Sequence, residues 1–321
     1  MIDNSSRVAL IGTGNVGATC AYGLLMNAVA NEVVLADINR ERAEGEAMDL
    51  EHALPFMRPT KISVGTLEDC SECDVIVITA GAARKPGENR LDLAKKNAAM
   101  LRSMIPRIVR PDSKAVFVVA SNPVDVLTYV MVHESGLDPR QVIGSGTILD
   151  TARFRALLSQ YFEVDPRSVH GHIIGEHGDT EIPVWSLANI AGMRLLEFCE
   201  RRGMKYDEAA LQDIFTRTRD AGAAVIKRKG ATFYAIAAGL VNIVESVLRN
   251  QNTVLTVSSL INDYNGIGDV CLSLPTVVNR AGIREVLRLD LQEAEIDLLQ
   301  KSAQVLKDHI NALEVERTVV Q

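Results

Sequence analysis

The sequence predicts an α/β protein: a doubly wound parallel sheet, followed by a second half of mixed α+β character. Three observations carry this. Strand-like runs in the first half are apolar throughout, as strands covered on both faces must be. Helical patterns separate them, and repeated βα units build parallel sheets with helices on both sides. Beyond residue 150 that alternation stops.

In order, the strands are VALIG (8–12), EVVLAD (32–37), DVIVITA (74–80), KAVFVVA (114–120) and QVIG (141–144), with helices predicted over 16–27, 40–52, 91–110 and 124–135. The second half opens on the helical TARFRALLSQYF. It then runs through the irregular, polar SVHGHIIGEHGDTEIPVWS and is helical again over 206–250. β-like runs follow at 253–261 and 269–278. The last segment places Ile296, Leu299, Ala303, Leu306, Ile310 and Leu313 three and four apart, the packing stripe of one helix.

Composition narrows the function. The chain has 321 residues, 47% hydrophobic and 23% charged, enough to bury a sizeable core. Its 34 basic and 41 acidic residues give a formal charge of −7 without a basic stripe, which argues against a nucleic-acid partner. No apolar run reaches the ~18 residues of a membrane span. A polar hexapeptide runs straight into the first strand, leaving no room for a signal peptide, so the expected compartment is the cytoplasm. Five cysteines (20, 70, 73, 199 and 271) are an odd set, best read as reduced thiols. The Cys70/Cys73 pair lacks the two further ligands a zinc site needs, and no metal is expected.

GTGNVG (12–17) sets Gly12, Gly14 and Gly17 in GxGxxG spacing between a strand and a helix. The first glycine permits the tight turn, the second lets a pyrophosphate approach the backbone, and the third lets helix and strand pack closely. The helix N-terminus offers N–H groups and partial positive charge to the phosphates. Asp37 ends the second strand, 20 residues after Gly17. A carboxylate there binds ribose hydroxyls and repels a 2′-phosphate, so NAD is expected rather than NADP. The fold is therefore Rossmann-type, with a dinucleotide-binding domain at 1–145 and a catalytic, substrate-binding domain at 146–321. Hydride transfer to a carbonyl leaves an alkoxide that needs a proton, a task suited to imidazole. Of six histidines, His177 stands out in the glycine-flanked loop GEHGDTE. Asp150 in ILDTARFR is its expected orienter. Arg153, three residues on, shares that helical face and can grip a substrate carboxylate through its planar fork.

GTGNVG, AGAARKPGENRLDL, SNPVD, GSGTILDTARFR, IIGEHGDTE and KGATFYAIA, in this order, resemble the NAD-dependent L-lactate dehydrogenase/malate dehydrogenase family over nearly the whole chain. The resemblance implies that His177 is the proton donor and acceptor with Asp150 as partner, and that Arg153 binds the 2-oxo acid carboxylate. Arg90 would polarise the carbonyl, Asn122 would bridge cofactor and substrate, and Thr232 would line the substrate pocket. Val16, Gly81, Ala82, Ser103 and Ser145 match family positions near the cofactor. A homodimer or homotetramer is implied as well. In bacterial lactate dehydrogenases similar to this chain, residues matching Arg155 and His170 bind fructose 1,6-bisphosphate between subunits, so an effector site is expected there.

The substrate expectation turns on Arg84. At this place the lactate branch of the family typically carries Gln, and the malate branch Arg, matched to the second carboxylate of oxaloacetate. A guanidinium closed over the methyl of pyruvate would be left unmatched, which costs about 3–5 kcal/mol in a buried pair. The expectation is malate/oxaloacetate chemistry on a lactate dehydrogenase-like framework, with pyruvate/L-lactate as the alternative. A non-catalytic NAD sensor is the reading from another class, and the intact set of His177, Asp150, Arg90 and Arg153 argues against it.

Overall fold

The computed structural model describes residues 6–82 and 90–317. The first half alternates as β1 (Arg7–Ile11), α1 (Asn15–Met26), β2 (Glu32–Ala36), α2 (Arg40–Ala53), β3 (Lys61–Val64), α3 (Leu67–Cys70), β4 (Val75–Ile78), α4 (Arg90–Ile108), β5 (Val116–Val119), α5 (Val124–Ser135) and β6 (Val142–Gly144). The second half begins with α6 (Ile148–Phe162). Five two-residue strands follow: β7 (Val169–His170), β8 (Ile173–Ile174), β9 (Ile182–Pro183), β10 (Asn189–Ile190) and β11 (Met193–Arg194). Next come α7 (Leu195–Arg202), α8 (Glu208–Lys229), α9 (Tyr234–Leu248), β12 (Thr253–Ile261), β13 (Val270–Asn279), β14 (Gly282–Val286) and α10 (Glu293–Arg317).

The expected strands are present; the two-residue strands β7 to β11, in and just beyond the stretch read as irregular, are additional, as are β3 and β14. β3 and β14 lie at sheet edges, and β3 is only partly buried, so neither carries the continuous apolar run of a central strand. The helical stretch 206–250 is two helices. Gly230, at φ +84°, ends α8 after a basic last turn of Lys227, Arg228 and Lys229.

One sheet runs in the order β14-β13-β12-β6-β5-β4-β1-β2-β3. β1 to β6 pair in parallel, while β12 joins β6 antiparallel at Ser258 opposite Gly144. The sheet is therefore continuous across residue 145. β1 lies between β2 and β4, the topological switch where ligands of such sheets bind, beyond the strands' carboxyl ends. Val8 and Leu10 of β1 pack on one face with α1 and α9, whereas Ala9 and Ile11 face α4 and α5. α10 buries Leu299, Ala303, Leu306, Ile310 and Leu313 on that second face, as its stripe predicts. Among the described residues, no helix is long and apolar enough to cross a membrane. All five thiols are free and buried, and burial pushes Cys20, Cys70 and Cys73 up to about 12, which leaves them inert.

Candidate active site

The carboxyl end of β1 makes the first half of the site. Gly12 has φ +100°, and a Cβ there would stand 2.5 Å from the Ala80 nitrogen. At Gly17 a Cβ would meet the Gly12 carbonyl oxygen at 1.9 Å, so the helix can sit this close to the strand only with glycine. Above Gly14 there is nothing within 4 Å, and α1 begins there without a side-chain cap. Open space and uncapped N–H groups fit a pyrophosphate. Asp37 Oδ2 accepts from Thr13 N at 2.6 Å and from Thr13 Oγ1 at 3.0 Å, while Oδ1 accepts from Asn39 N at 2.9 Å. Burial would raise this carboxyl, but the donated hydrogen bonds outweigh it and hold the group below the usual range. The carboxylate is thus ionised and tied to the glycine turn. Val16 lies half-buried in the first turn of α1.

A second cluster follows β4. A Cβ on Gly81 would stand 3.2 Å from Ser121 Cβ, and the Ser121 hydroxyl donates to Ala80 O at 2.6 Å. Asn97, on α4 and 3% exposed, ties the segment together. Its Oδ1 accepts from Ala82 N at 2.8 Å, and its Nδ2 donates to Asn122 O at 2.7 Å. Gly81, Ala82 and Asn122 are thereby brought to one place by a residue the sequence reading missed. Ser145 is buried at the end of β6, its N–H donating to Val119 O at 2.8 Å. Ser103 behaves differently. It is exposed on α4 and donates to Met100 O of its own helix, and among the described residues nothing links it to the glycine turn.

The third cluster gathers the residues expected to carry the chemistry. The first two turns of α6 place Asp150 and Arg153 on one face, and Arg153 Nη1 donates to Asp150 Oδ1 at 2.9 Å. His177 Nδ1 meets the other oxygen, Asp150 Oδ2, at 2.5 Å. Asp150 is 2% exposed, and a carboxylate that buried is held ionised only by such partners. Burial would raise Asp150, but His177 and Arg153 together keep it below its ordinary range. Burial would lower His177, but Asp150 overrides it and lifts the imidazole to about 9. The ring is a charged proton donor at neutral pH. Gly222 of α8 lies against the guanidinium, and a Cβ there would stand 3.9 Å from both Nη atoms.

Two further acids, Asp125 and Glu181, were missed by the sequence reading. Asp125 of α5, 2% exposed, accepts the His177 backbone N–H at 2.8 Å and so fixes the loop that carries the imidazole. Burial raises its carboxyl to about 6, against the hydrogen bonds it accepts. Glu181 is also buried and borders the His177–Asp150 pair. The signals that could have found these residues are polar side chains in apolar surroundings: Asp125 sits in a stretch of α5 buried from Val124 to Val132.

The structure leaves other expected residues apart from this cluster or undescribed. Thr232 lies half-buried on the connection between α8 and α9. Arg155 points away from Asp150, and its Nε donates to Gly171 O at 2.9 Å, beside the exposed His170. Arg84 and the side chain of Arg90 lie outside the described residues.

An NAD-type glycine turn at the sheet's switch point, with a His177–Asp150 pair and Arg153 beside it, fits an NAD-dependent dehydrogenase. The chain belongs to the lactate/malate dehydrogenase family: the model of the family's NAD binding domain matches residues 6–144 and that of its alpha/beta C-terminal domain matches residues 147–316. It is 46% identical over 309 residues to an L-lactate dehydrogenase of Acetivibrio thermocellus, covering 96% of this chain and 98% of the relative. It is 48% identical over 301 residues to an L-lactate dehydrogenase of Priestia megaterium, covering 94% of each. Among solved structures, the minor L-lactate dehydrogenase of Enterococcus mundtii superposes with a TM-score of 0.92 at 39% identity, covering 96% of this chain and 98% of that one. The cofactor is NAD.

These comparisons overturn the malate/oxaloacetate expectation, because relatives 44–48% identical over nearly the full length are L-lactate dehydrogenases. That expectation rested on a single cation, Arg84, being enclosed with the substrate. A guanidinium in contact with water needs no counter-charge, so one loop residue does not by itself dictate a second carboxylate.

Proposed function

We propose that the protein is an L-lactate dehydrogenase, interconverting pyruvate and L-lactate with NAD in the cytoplasm. The observation that carries this reading is Asp150 holding His177 and Arg153 on its two oxygens, which sets one proton donor beside one cation for a carboxylate among the described residues. A nicotinamide dinucleotide, held by the Gly12–Gly17 turn and Asp37, would supply the hydride for the carbonyl carbon. His177, oriented through Nδ1 by Asp150, donates its other ring proton to the forming alkoxide and takes it back in lactate oxidation. Arg153 holds the carboxylate, which a two-point fork can orient as well as bind. Arg90 polarises the carbonyl, Asn122 bridges cofactor and substrate, and Thr232 lines the pocket. Gly12, Gly14, Val16, Gly17, Asp37, Gly81, Ala82 and Ser145 form the cofactor side, in a domain of residues 1–145, with the substrate domain at 146–321.

NADH oxidation measured separately with pyruvate and oxaloacetate tests the substrate. The expected kcat/KM is higher for pyruvate by about tenfold or more, equivalent to ~1.4 kcal/mol or more of barrier. A preference for oxaloacetate overturns the reading while leaving the dehydrogenase class intact.

We propose in addition that Arg155 and His170 form the anion site of a sugar bisphosphate effector in an assembly of two or four chains. Burial lowers the pKa of Arg155, and no carboxylate pairs with it among the described residues, so a phosphate would relieve a desolvated cation. Titration with fructose 1,6-bisphosphate is expected to lower the KM for pyruvate by about tenfold, a coupling of ~1.4 kcal/mol. Unchanged KM together with unchanged sedimentation would reject the site.

A further inference from the structure

Glu181 has no part in the roles assigned above. It is 6% exposed, and its Oε1 has no hydrogen-bond partner among the described residues. One polar atom each of Asp150, His177 and Glu181 lie within 4.8 Å of one another. Such a carboxyl cannot be ionised cheaply, because its charge would stand beside Asp150 with one oxygen unsatisfied. Asp150 and Arg153 face it from α6, His177 from its own loop, and Arg219 from α8, while Asp125 of α5 meets His177 at the backbone. A proton on Glu181 removes the buried charge, and it does so at a site where Arg153 is already engaged by Asp150.

The charge balance gives this carboxyl a consequence. With His177 protonated, Arg153 charged and Asp150 ionised, these three leave positive charge to meet an anion, with Arg219 adding to it and Asp125 drawing on it. Ionising Glu181 removes one unit of that charge. We propose that Glu181 is a second proton-bearing residue of the substrate site: protonated, it permits a monoanionic 2-oxo acid to bind, and its ionisation expels that anion. Burial and Asp150 raise the carboxyl, against His177, Arg153 and Arg219, to about 8. His177 lies at about 9. Both protons are therefore present at neutral pH, and both leave over the same alkaline range.

The inference rests on the reading of the site as a 2-oxo acid reductase. The test is the KM for pyruvate at saturating NADH from about pH 6.5 to about pH 10, in the wild type and in Glu181→Gln. In the wild type, log KM should climb with a slope approaching about two, since two protons must be restored for binding. In the variant, which cannot ionise at this position, the slope should be about one. At about pH 9 the rise from neutral pH should then be about tenfold larger in the wild type. Equal slopes overturn the proposal. A second measurement needs no variant: calorimetry of oxamate, the amide isostere of pyruvate, binding to the wild-type NADH complex at about pH 9.5 in buffers of different ionisation enthalpy. Uptake well above one proton per site supports the proposal, and one proton or fewer refutes it. Failure to reduce pyruvate at any pH would remove the underlying reading. Reduction with a one-proton profile in both proteins would remove only the role of Glu181.

Discussion

Asp150→Asn is expected to lower kcat for pyruvate reduction by about 10²–10⁴-fold while NADH binding persists, because the change leaves the glycine turn untouched and disables the proposed proton donor. The amide nearly preserves the shape of the side chain but removes the charge that holds His177 at about 9. It also presents a donor where the imidazole needs an acceptor, which favours the wrong tautomer. The pH profile separates this from simple disruption. Reduction requires protonated His177, so the wild type keeps its donor until pH rises through about 9. In the variant the imidazole returns towards its ordinary value near 6.5, and activity should fall across neutral pH instead. Stability carries the same sign. A histidine whose folded pKa is raised contributes stability fully below its unfolded value, and that contribution is lost as pH rises through the folded one. The His177 contribution therefore fades between 6.5 and about 9 in the wild type. Thermal unfolding of the two proteins across that window checks it, and parallel curves would count against an ion pair here.

Arg153→Ala should raise the KM for pyruvate by about 10²–10³-fold, again with little change in NADH affinity. The guanidinium is 16% exposed and shares Asp150 with His177. Its loss removes a partner from the substrate carboxylate in a pocket shielded from water, a change worth about 3–5 kcal/mol for a buried pair. Arg153→Lys restores the charge but not the planar fork, so it should recover only part of the loss. If Arg153 were only a strut for Asp150, the lysine variant would restore KM fully and the alanine variant would depress kcat rather than affinity. Steady-state kinetics with both variants distinguishes the two.

Residues whose chemistry is written locally were the legible ones. GTGNVG and Asp37 could be read because the turn, the helix start and the strand end lie within 26 residues of chain, and the structure joins them through Thr13. Asp150 and Arg153 could be placed on one face from helical spacing alone. Asn97, Asp125 and Glu181 could not, since each acts on a segment brought near only by folding. Asp125 meets a backbone N–H 52 positions away. Asn97 binds a carbonyl 25 positions away. The edge strand β14 was missed for a related reason: its place is defined by pairing with β13 rather than by its own pattern. The substrate was misjudged from Arg84, a residue whose charge can be read but whose surroundings cannot.

By itself, the amino-acid order determined the alternating architecture and the nucleotide turn, because periodicity and short-range spacing specify both, while the roles expected of His177, Asp150 and Arg153 came from the family resemblance that their motifs carry. Only the tertiary structure decided that one sheet runs across both halves, that Asp125 anchors the His177 loop, and that Glu181 is packed beside an ion pair with its Oε1 unpartnered among the described residues. The reason is physical. Which side chains carry charge at a given pH depends on burial and on neighbours distant in sequence, and both arise only when the chain closes on itself.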